Sequence, residues 1–242
     1  MNLIIDSGNT RIKFYEVSHN NISDPHIFLN KEENKIADFI NTCPFEKVIS
    51  SDVGNSIQKW EDAIIEKAST FIRLDHNTPI PIKNLYQSPQ TLGHDRLAAA
   101  IGAVSIYPSK TLLIIDFGTA ITYDIVHKNA FLGGAIAPGM QLRFKSLHNY
   151  TGNLPLLEPT EQYKVPGTTT NESILAGVIQ GIKNEVEGTI SSYQKEYSEL
   201  ITVITGGDME FFAKIIKNGI FAEPKLIAKG LNNILNYNVE KS

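Results

Sequence analysis

The sequence predicts an α/β protein built from two related halves. Two observations carry that expectation. An apolar strand that closes on Asp-x-Gly and reopens into a second strand occurs twice, and each occurrence leads a run in which helices alternate with strands. The first copy is Leu3-Ile4-Ile5, then Asp6-Ser7-Gly8-Asn9-Thr10, then a run from Arg11 with apolar Ile12 and Phe14. The second is Leu112-Leu113-Ile114-Ile115, then Asp116-Phe117-Gly118-Thr119-Ala120, then Ile121, Tyr123 and Ile125. Gly8 and Asn9 are residue types that supply the positive φ of a two-residue hairpin. The halves are expected over 1–108 and 109–242, divided at the helix-breaking Pro108.

In chain order, strands are expected over 3–5, 11–17 and 22–29. Residues 32–42 place Ile36, Phe39 and Ile40 at helical spacing. Lys47-Val48-Ile49-Ser50-Ser51 reads as a short buried strand. Residues 56–69, with Ile57, Trp60, Ile64 and Ala68 on one face, read as a helix, and 71–74 as a strand. Residues 75–92 hold Pro79, Pro81 and Pro89 and read as irregular; loops of that length inside a compact domain tend to be functional. Gly93-His94-Asp95-Arg96 then opens an Ala-rich helix.

The second half repeats the order. Strands are expected over 112–115, 120–126 and 130–136, a helix after Pro138-Gly139, and a second irregular segment over 150–166. A long helix over 171–193 is interrupted by Gly177, Gly181 and Gly188. A strand over 201–204, the turn Thr205-Gly206-Gly207-Asp208, a helix over 209–217, a short strand near Phe221 and a last helix over 225–237 complete the chain.

The 242 residues suffice for one large domain or two small ones, each with its own core. With 42% hydrophobic and 20% charged residues the composition is that of a globular protein, not a disordered or fibrous one. The net charge of −4 and the lack of a Lys/Arg cluster argue against a nucleic-acid-binding face. A single Cys43 excludes an internal disulfide and a Cys-rich zinc site, and fits a reducing compartment. No long apolar run suggests a signal peptide or membrane span, so a cytoplasmic protein is expected.

The chemistry concentrates in three places. At 6–13 the glycine lets successive N–H groups point at a polyphosphate, Asn9 and Thr10 add donors, Lys13 adds a cation, and Asp6 can hold Mg²⁺ through water. One such turn alone is ordinary hairpin chemistry; the second copy at 116–119 shifts the balance to phosphate binding. Neither copy is a Walker loop, for no Gly-x-x-x-x-Gly-Lys-Ser/Thr occurs. Asp95 has two readings: an N-cap for the Ala-rich helix, or a carboxylate that orients an acceptor hydroxyl and takes its proton beside the cation of Arg96. The turn at 205–208 serves equally as a strand-to-helix connection or as an approach for a flat ligand such as adenine.

These residues resemble the type III pantothenate kinases, bacterial enzymes of the acetate and sugar kinase/Hsp70/actin superfamily. The resemblance runs through residues 6–13, Gly93-His94-Asp95-Arg96, 115–120, 133–139, Leu154-Pro155, Thr170-Asn171-Glu172-Ser173 and Thr205-Gly206-Gly207. It implies duplicated ribonuclease H-like (actin-like ATPase) domains, with mixed five-stranded sheets flanked by helices and a cleft between. It implies ATP-dependent phosphorylation of pantothenate, the first step towards coenzyme A. ATP would lie on Asp6, Ser7, Gly8, Asn9, Thr10, Arg11, Ile12 and Lys13, with Thr119 contacting it from the second half. Asp95 would be the proton acceptor within the substrate run Gly93, His94, Asp95 and Arg96, and Tyr86 and Thr170 would contact pantothenate. Asp116 would hold a monovalent cation, K⁺ or NH₄⁺, alongside Mg²⁺. A homodimer is implied, with substrate pockets near the subunit interface. Ser51-Asp52-Val53-Gly54 departs from the family's usual Ser-Val-Val-Pro, which bears on the shape of that loop. Two rivals keep the superfamily: a sugar or amino-sugar kinase, and a non-catalytic ATP-binding regulator of transcription. The latter needs a DNA-reading element, and the sequence offers no basic helix-turn-helix.

Overall fold

A computed structural model describes residues 1–8, 10–19, 21–52, 56–217 and 219–241. The chain forms two compact units. The first comprises Met1–Pro108, Asn129–Leu132 and Lys225–Ser242; the second comprises Ser109–Lys128 and Gly133–Pro224.

In the first unit, β1 (Asn2–Ser7) lies between β2 (Arg11–Ser18), antiparallel to it, and β5 (Lys47–Asp52), parallel to it. β6 (Thr70–Arg73) continues the parallel run beside β5. The strand expected over 22–29 is two short ones, β3 (Asn21–Ile22) and β4 (His26–Leu29), both antiparallel to β2. Pro25, which has no N–H for a ladder, falls between them. Sheet order is β3-β2-β1-β5-β6, with β4 beside β2.

Alternation along the strands divides the core by face. Leu3, Ile5, Ile12, Phe14 and Val48 pack with Ile36 and Ile40 of α1 (Glu33–Thr42), Ile57, Trp60, and Ile64 of α2 (Glu61–Lys67). The helix expected from residue 56 begins instead as a single 3₁₀ turn, Gln58–Trp60. The alternate residues Ile4 and Ile49 are also fully buried. Against β1 and β5 lie α3 (His94–Ile106) and α8 (Leu226–Val239).

The pairing of α3 with α8 departs from the order of the chain, which puts the last helix in the second half. Its cause is local. Gly102 meets the Leu226 carbonyl and Gly230 meets the Ala98 carbonyl so closely that neither position has room for a Cβ. Two small residues let two backbones approach, and Leu231, Ile234 and Leu235 are then fully buried. Lys225 fixes the start of α8 through Ile22 O (3.0 Å) and Asp24 (2.8 Å).

The second unit repeats the arrangement. β8 (Thr111–Phe117) lies between antiparallel β9 (Ala120–His127) and parallel β11 (Leu200–Thr205), with β12 (Ile220–Ala222) parallel beside β11. β10 (Ala130–Pro138) follows β9 in the order β12-β11-β8-β9-β10. Its first residues belong to the first unit, where Ala130 and Phe131 pair with β7 (Lys83–Asn84) inside the segment expected to be irregular. Each sheet thus carries one short strand beyond the expected five, because β4 and β7 attach at their margins. Leu113, Ile115 and Phe117 pack on α4 (Met140–Tyr150), α5 (Thr170–Leu175), α6 (Gly181–Glu196) and α7 (Met209–Ile215). One π-helical stretch, Ala176–Gln180, joins α5 to α6. Among the described residues no helix is long and apolar enough to cross a membrane.

Gly230→Val places a branched side chain against the Ala98 carbonyl and should destabilise the protein by about 3 kcal/mol, an overpacking loss. Gly188→Ala, at a helical site where a Cβ meets nothing within 4 Å, should stabilise by up to about 1 kcal/mol. Urea unfolding midpoints of the two variants check both.

Candidate active site

The two Asp-x-Gly hairpins end the central strand of each sheet. In the first, Gly8 N–H donates to Arg11 O (3.0 Å) and Ser7 pairs with Ile12, so residues 8–11 make the connection. That is longer than a two-residue turn, and the positive φ expected at Gly8 is absent; among the described residues only Gly133 and Gly206 are glycines of positive φ. Asn9 lies outside the described residues, as do Val53 and Gly54. In the second hairpin Gly118 N–H donates to Ala120 O (3.2 Å) and Phe117 pairs with Ile121, a connection one residue shorter. The register follows from that residue. Asp6 faces Lys13 across its hairpin, whereas Asp116 faces Thr122.

Asp6 and Lys13 stand 3.9 Å apart, with the Asp6 side chain only 13% exposed. Burial holds the Asp6 carboxyl above its ordinary value of 3.8; Lys13 pulls it down and the charge of Asp95 pushes it up. Asp6 in turn adds to the effect of burial in pushing the nearby Tyr15 phenol well above its usual range. Thr10 and Arg11 are exposed at the turn. Ile12 is in the core, and Ser7 is fully buried with no partner for its Oγ, so any ligand contact by these two falls to the backbone.

Asp95 is not the N-cap of its helix. Gly93 holds that position, and Asp95 lies within the first turn, where its Oδ1 accepts from Arg96 N–H (2.8 Å). It is half-buried, near enough to Asp6 for the two charges to interact. His94 beside it is half-buried, and burial holds its imidazole below the usual value, against the pull of Asp95 and Asp75. Arg96 is buried at 6% exposure. Its guanidinium lies 5.6 Å from the Tyr86 ring centroid and 5.9 Å from that of Phe131, within reach of a cation–π attraction. The expected substrate residues Tyr86, Gly93, His94, Asp95 and Arg96 therefore all belong to the first unit, and Tyr86 and Arg96 meet directly.

The expected residues of the second unit are arranged differently. Asp116 ends β8 under the turn at 205–208; Gly206, at φ 101°, passes so close to Phe117 N and the Asp116 carboxylate that only glycine fits. Thr119 is exposed, and its carbonyl accepts from Gly139 N–H (3.0 Å). Thr170 is exposed at the first position of α5; capping is left to Thr169 and to Thr168, which donates to Glu172. The described residues contain no group of three or more His, Cys, Asp or Glu placed to hold a metal ion.

Residues 2–192 match the pattern of the type III pantothenate kinase family. A type III pantothenate kinase of Christiangramia forsetii is 42% identical over 244 residues, covering 98% of this chain and 99% of its own. The chain belongs to that family. Two solved structures share its fold. One is a Campylobacter jejuni protein described as a candidate Baf family transcriptional activator, with TM-score 0.65 and 22% identity over 98% of this chain and 99% of the other. The second is MreB5 of Spiroplasma citri bound to ADP, with TM-score 0.51 and 10% identity over 100% and 98%. The likeness to these two structures is one of fold.

Some residues around these family motifs carried no signal in sequence. Phe131, an ordinary strand aromatic, completes the aromatic pair around Arg96. Tyr123 donates to Glu185 (2.7 Å), which also takes Arg143 (2.8 Å), and Arg143 Nε reaches Pro138 O (2.8 Å) at the start of α4. Only the fold brings such partners together.

The buried Asp6 charge has a thermodynamic consequence. Because folding raises its pKa, the carboxyl contributes stability below pH about 3.8 that is lost as pH rises through the raised value, and stays lost above it. Asp6→Asn should therefore melt higher than wild type near pH 7 and at the same temperature as wild type near pH 3. Calorimetry of the ligand-free protein checks the sign; a lower melting point near pH 7 would show that the Lys13 pairing outweighs burial.

Proposed function

We propose that the protein phosphorylates pantothenate with ATP, giving 4'-phosphopantothenate and ADP, the first step towards coenzyme A. Family membership supports the substrate. The observation in the molecule that supports the chemistry is that Asp95, in the first turn of α3, belongs to the same unit as the first Asp-x-Gly hairpin and bears on the charge of Asp6.

In this reading residues 6–13 receive the ATP phosphates, with Lys13 as counter-charge, and Thr119 contacts ATP. Asp95 accepts the proton of the terminal pantothenate hydroxyl as its oxygen bonds to the γ-phosphorus and the bond to the β–γ bridging oxygen breaks; ADP leaves with that electron pair. Positioning and charge neutralisation supply most of the rate in such a loose transition state. Gly93, His94 and Arg96 line the acceptor, with Arg96 held as a fixed cation by Tyr86 and Phe131. Tyr86 and Thr170 contact pantothenate.

The residues fit the ions the family implies. Asp6 is a largely buried carboxylate whose charged form burial disfavours, and Mg²⁺ would favour that charged form as Lys13 does. Mg²⁺ is commonly held by one or two carboxylates together with substrate phosphates. When bound it neutralises developing phosphate charge. Asp116, facing a hydroxyl where Asp6 faces a lysine, suits K⁺ or NH₄⁺. We also assign a cytoplasmic homodimer, on the resemblance and, for the compartment, on the single cysteine.

Asp95→Asn should keep the fold, since the amide oxygen can still accept from Arg96 N–H, and should lower kcat by about 10²–10⁴-fold, the range for loss of a general base. Circular dichroism and ADP release on pantothenate check both. The same assay against a sugar panel, with and without K⁺ or NH₄⁺, tests the acceptor. Turnover of a sugar but not pantothenate would replace the substrate assignment, and a promoter-DNA shift without turnover would favour a regulator.

A further inference from the structure

Asn30 follows β4 and holds the first hairpin at two points. Its backbone N–H donates to Thr10 O (3.1 Å), and its side-chain Nδ2 donates to Gly8 O (3.1 Å). The same Nδ2 donates to Ser56 Oγ (2.9 Å). Ser56 is fixed in turn by Asp52, whose carboxylate accepts from Ser56 N–H (3.1 Å) and Ile57 N–H (3.1 Å). Asp52 ends β5 directly beside Ser7. One amide therefore joins the hairpin turn, the end of β4 and the loop after β5.

The chemistry of a phosphate loop gives this arrangement a meaning. A polyphosphate is attracted by backbone N–H groups and repelled by the carbonyl oxygens between them. A loop that binds it through the main chain must hold those oxygens elsewhere, and both flanking carbonyls of this turn, Gly8 and Thr10, are taken by Asn30. The residue type matters. A primary amide nitrogen carries two donors, one for Gly8 O and one for Ser56 Oγ; a carboxylate of the same shape has none. The Gly8 carbonyl, which can only accept, fixes which end of the amide faces it, and Ser56 takes the second N–H of that nitrogen.

We propose that Asn30 is a positioning residue of the phosphate loop, and that Asp52 and Ser56 form the relay that sets its amide. The proposal rests on the reading of residues 6–13 as the ATP phosphate loop. It assigns Asp52, where the sequence departs from the family's usual pattern, a part in nucleotide binding without contact to the nucleotide.

The test measures the affinity for MgATP and ADP by calorimetry, the KM values for ATP and pantothenate, and the melting temperature, in wild type, Asn30→Ala, Asn30→Asp and Ser56→Ala. Asn30→Ala should weaken ADP binding and raise the ATP KM about 10-fold, the loss of a hydrogen bond serving a charged ligand. The pantothenate KM should stay within about twofold, since the change lies on the nucleotide side. Asn30→Asp should be worse than Asn30→Ala, because it brings a negative charge to the turn. Ser56→Ala should show the same pattern at about threefold, and it keeps the test decisive if either Asn30 variant fails to fold. Wild-type nucleotide affinity in folded Asn30→Ala, or in Ser56→Ala, with only the melting temperature lowered, would overturn the proposal. A wild-type protein that turns over pantothenate, set beside an unaffected variant, would leave the enzyme reading standing and remove this inference alone. A wild-type protein that binds no nucleotide would overturn both.

Discussion

Asp6 is a carboxylate whose charged form burial disfavours, and its place follows from the packing of the first unit. Leu3, Ile4 and Ile5 are fully buried, which fixes β1 between β2 and β5 and carries Asp6 to the carboxyl end of a central strand. Every neighbour that changes its charge arrives by a separate route. Lys13 comes through the register of β1 with β2, and Asp95 through the first turn of α3. The apolar triplet thus does more than fill a core: it sets the dielectric in which the carboxylate operates. In open-sheet α/β folds the ends of parallel strands are where ligands gather, and Asp6 lies at such an end.

The second sheet shows what happens to the same design when one residue is removed. Both units place an Asp at the end of the middle strand and follow it with Gly after one residue. The second connection is one residue shorter, and the residue it sets opposite Asp116 is Thr122, where Asp6 has Lys13. The two hairpins share a shape and differ in the residue set opposite the Asp.

The hairpins, the Ala-rich helix and the order of elements were legible because their apolar periodicity is local. So was the family, because its motifs are short blocks in a fixed order. Some short features were not, although the short β6 and β12 were expected. β4 and β7 are too short to show alternation, and β7 pairs with residues far along the chain. A cap was one of the two readings of Asp95 because Asp caps well, yet Gly93 takes the position and leaves the carboxylate inside the helix. The positive φ expected at Gly8 assumed a two-residue loop that the register does not adopt. Phe131 joined Tyr86 and Arg96 through strand pairing that no spacing in the sequence announces. The place of α8 depended on two glycines meeting across helices, a fact about space and not about order.

That last feature bears on how the molecule comes into being on the ribosome. Domains generally fold as they emerge, the earlier one first. Here α8 is translated after every other element, although it covers α3 and completes the first unit. The helix that carries Asp95 therefore stays without its packing partner while the second unit, already whole, is free to fold. The half that begins first is completed only once residues 225–242 have been made.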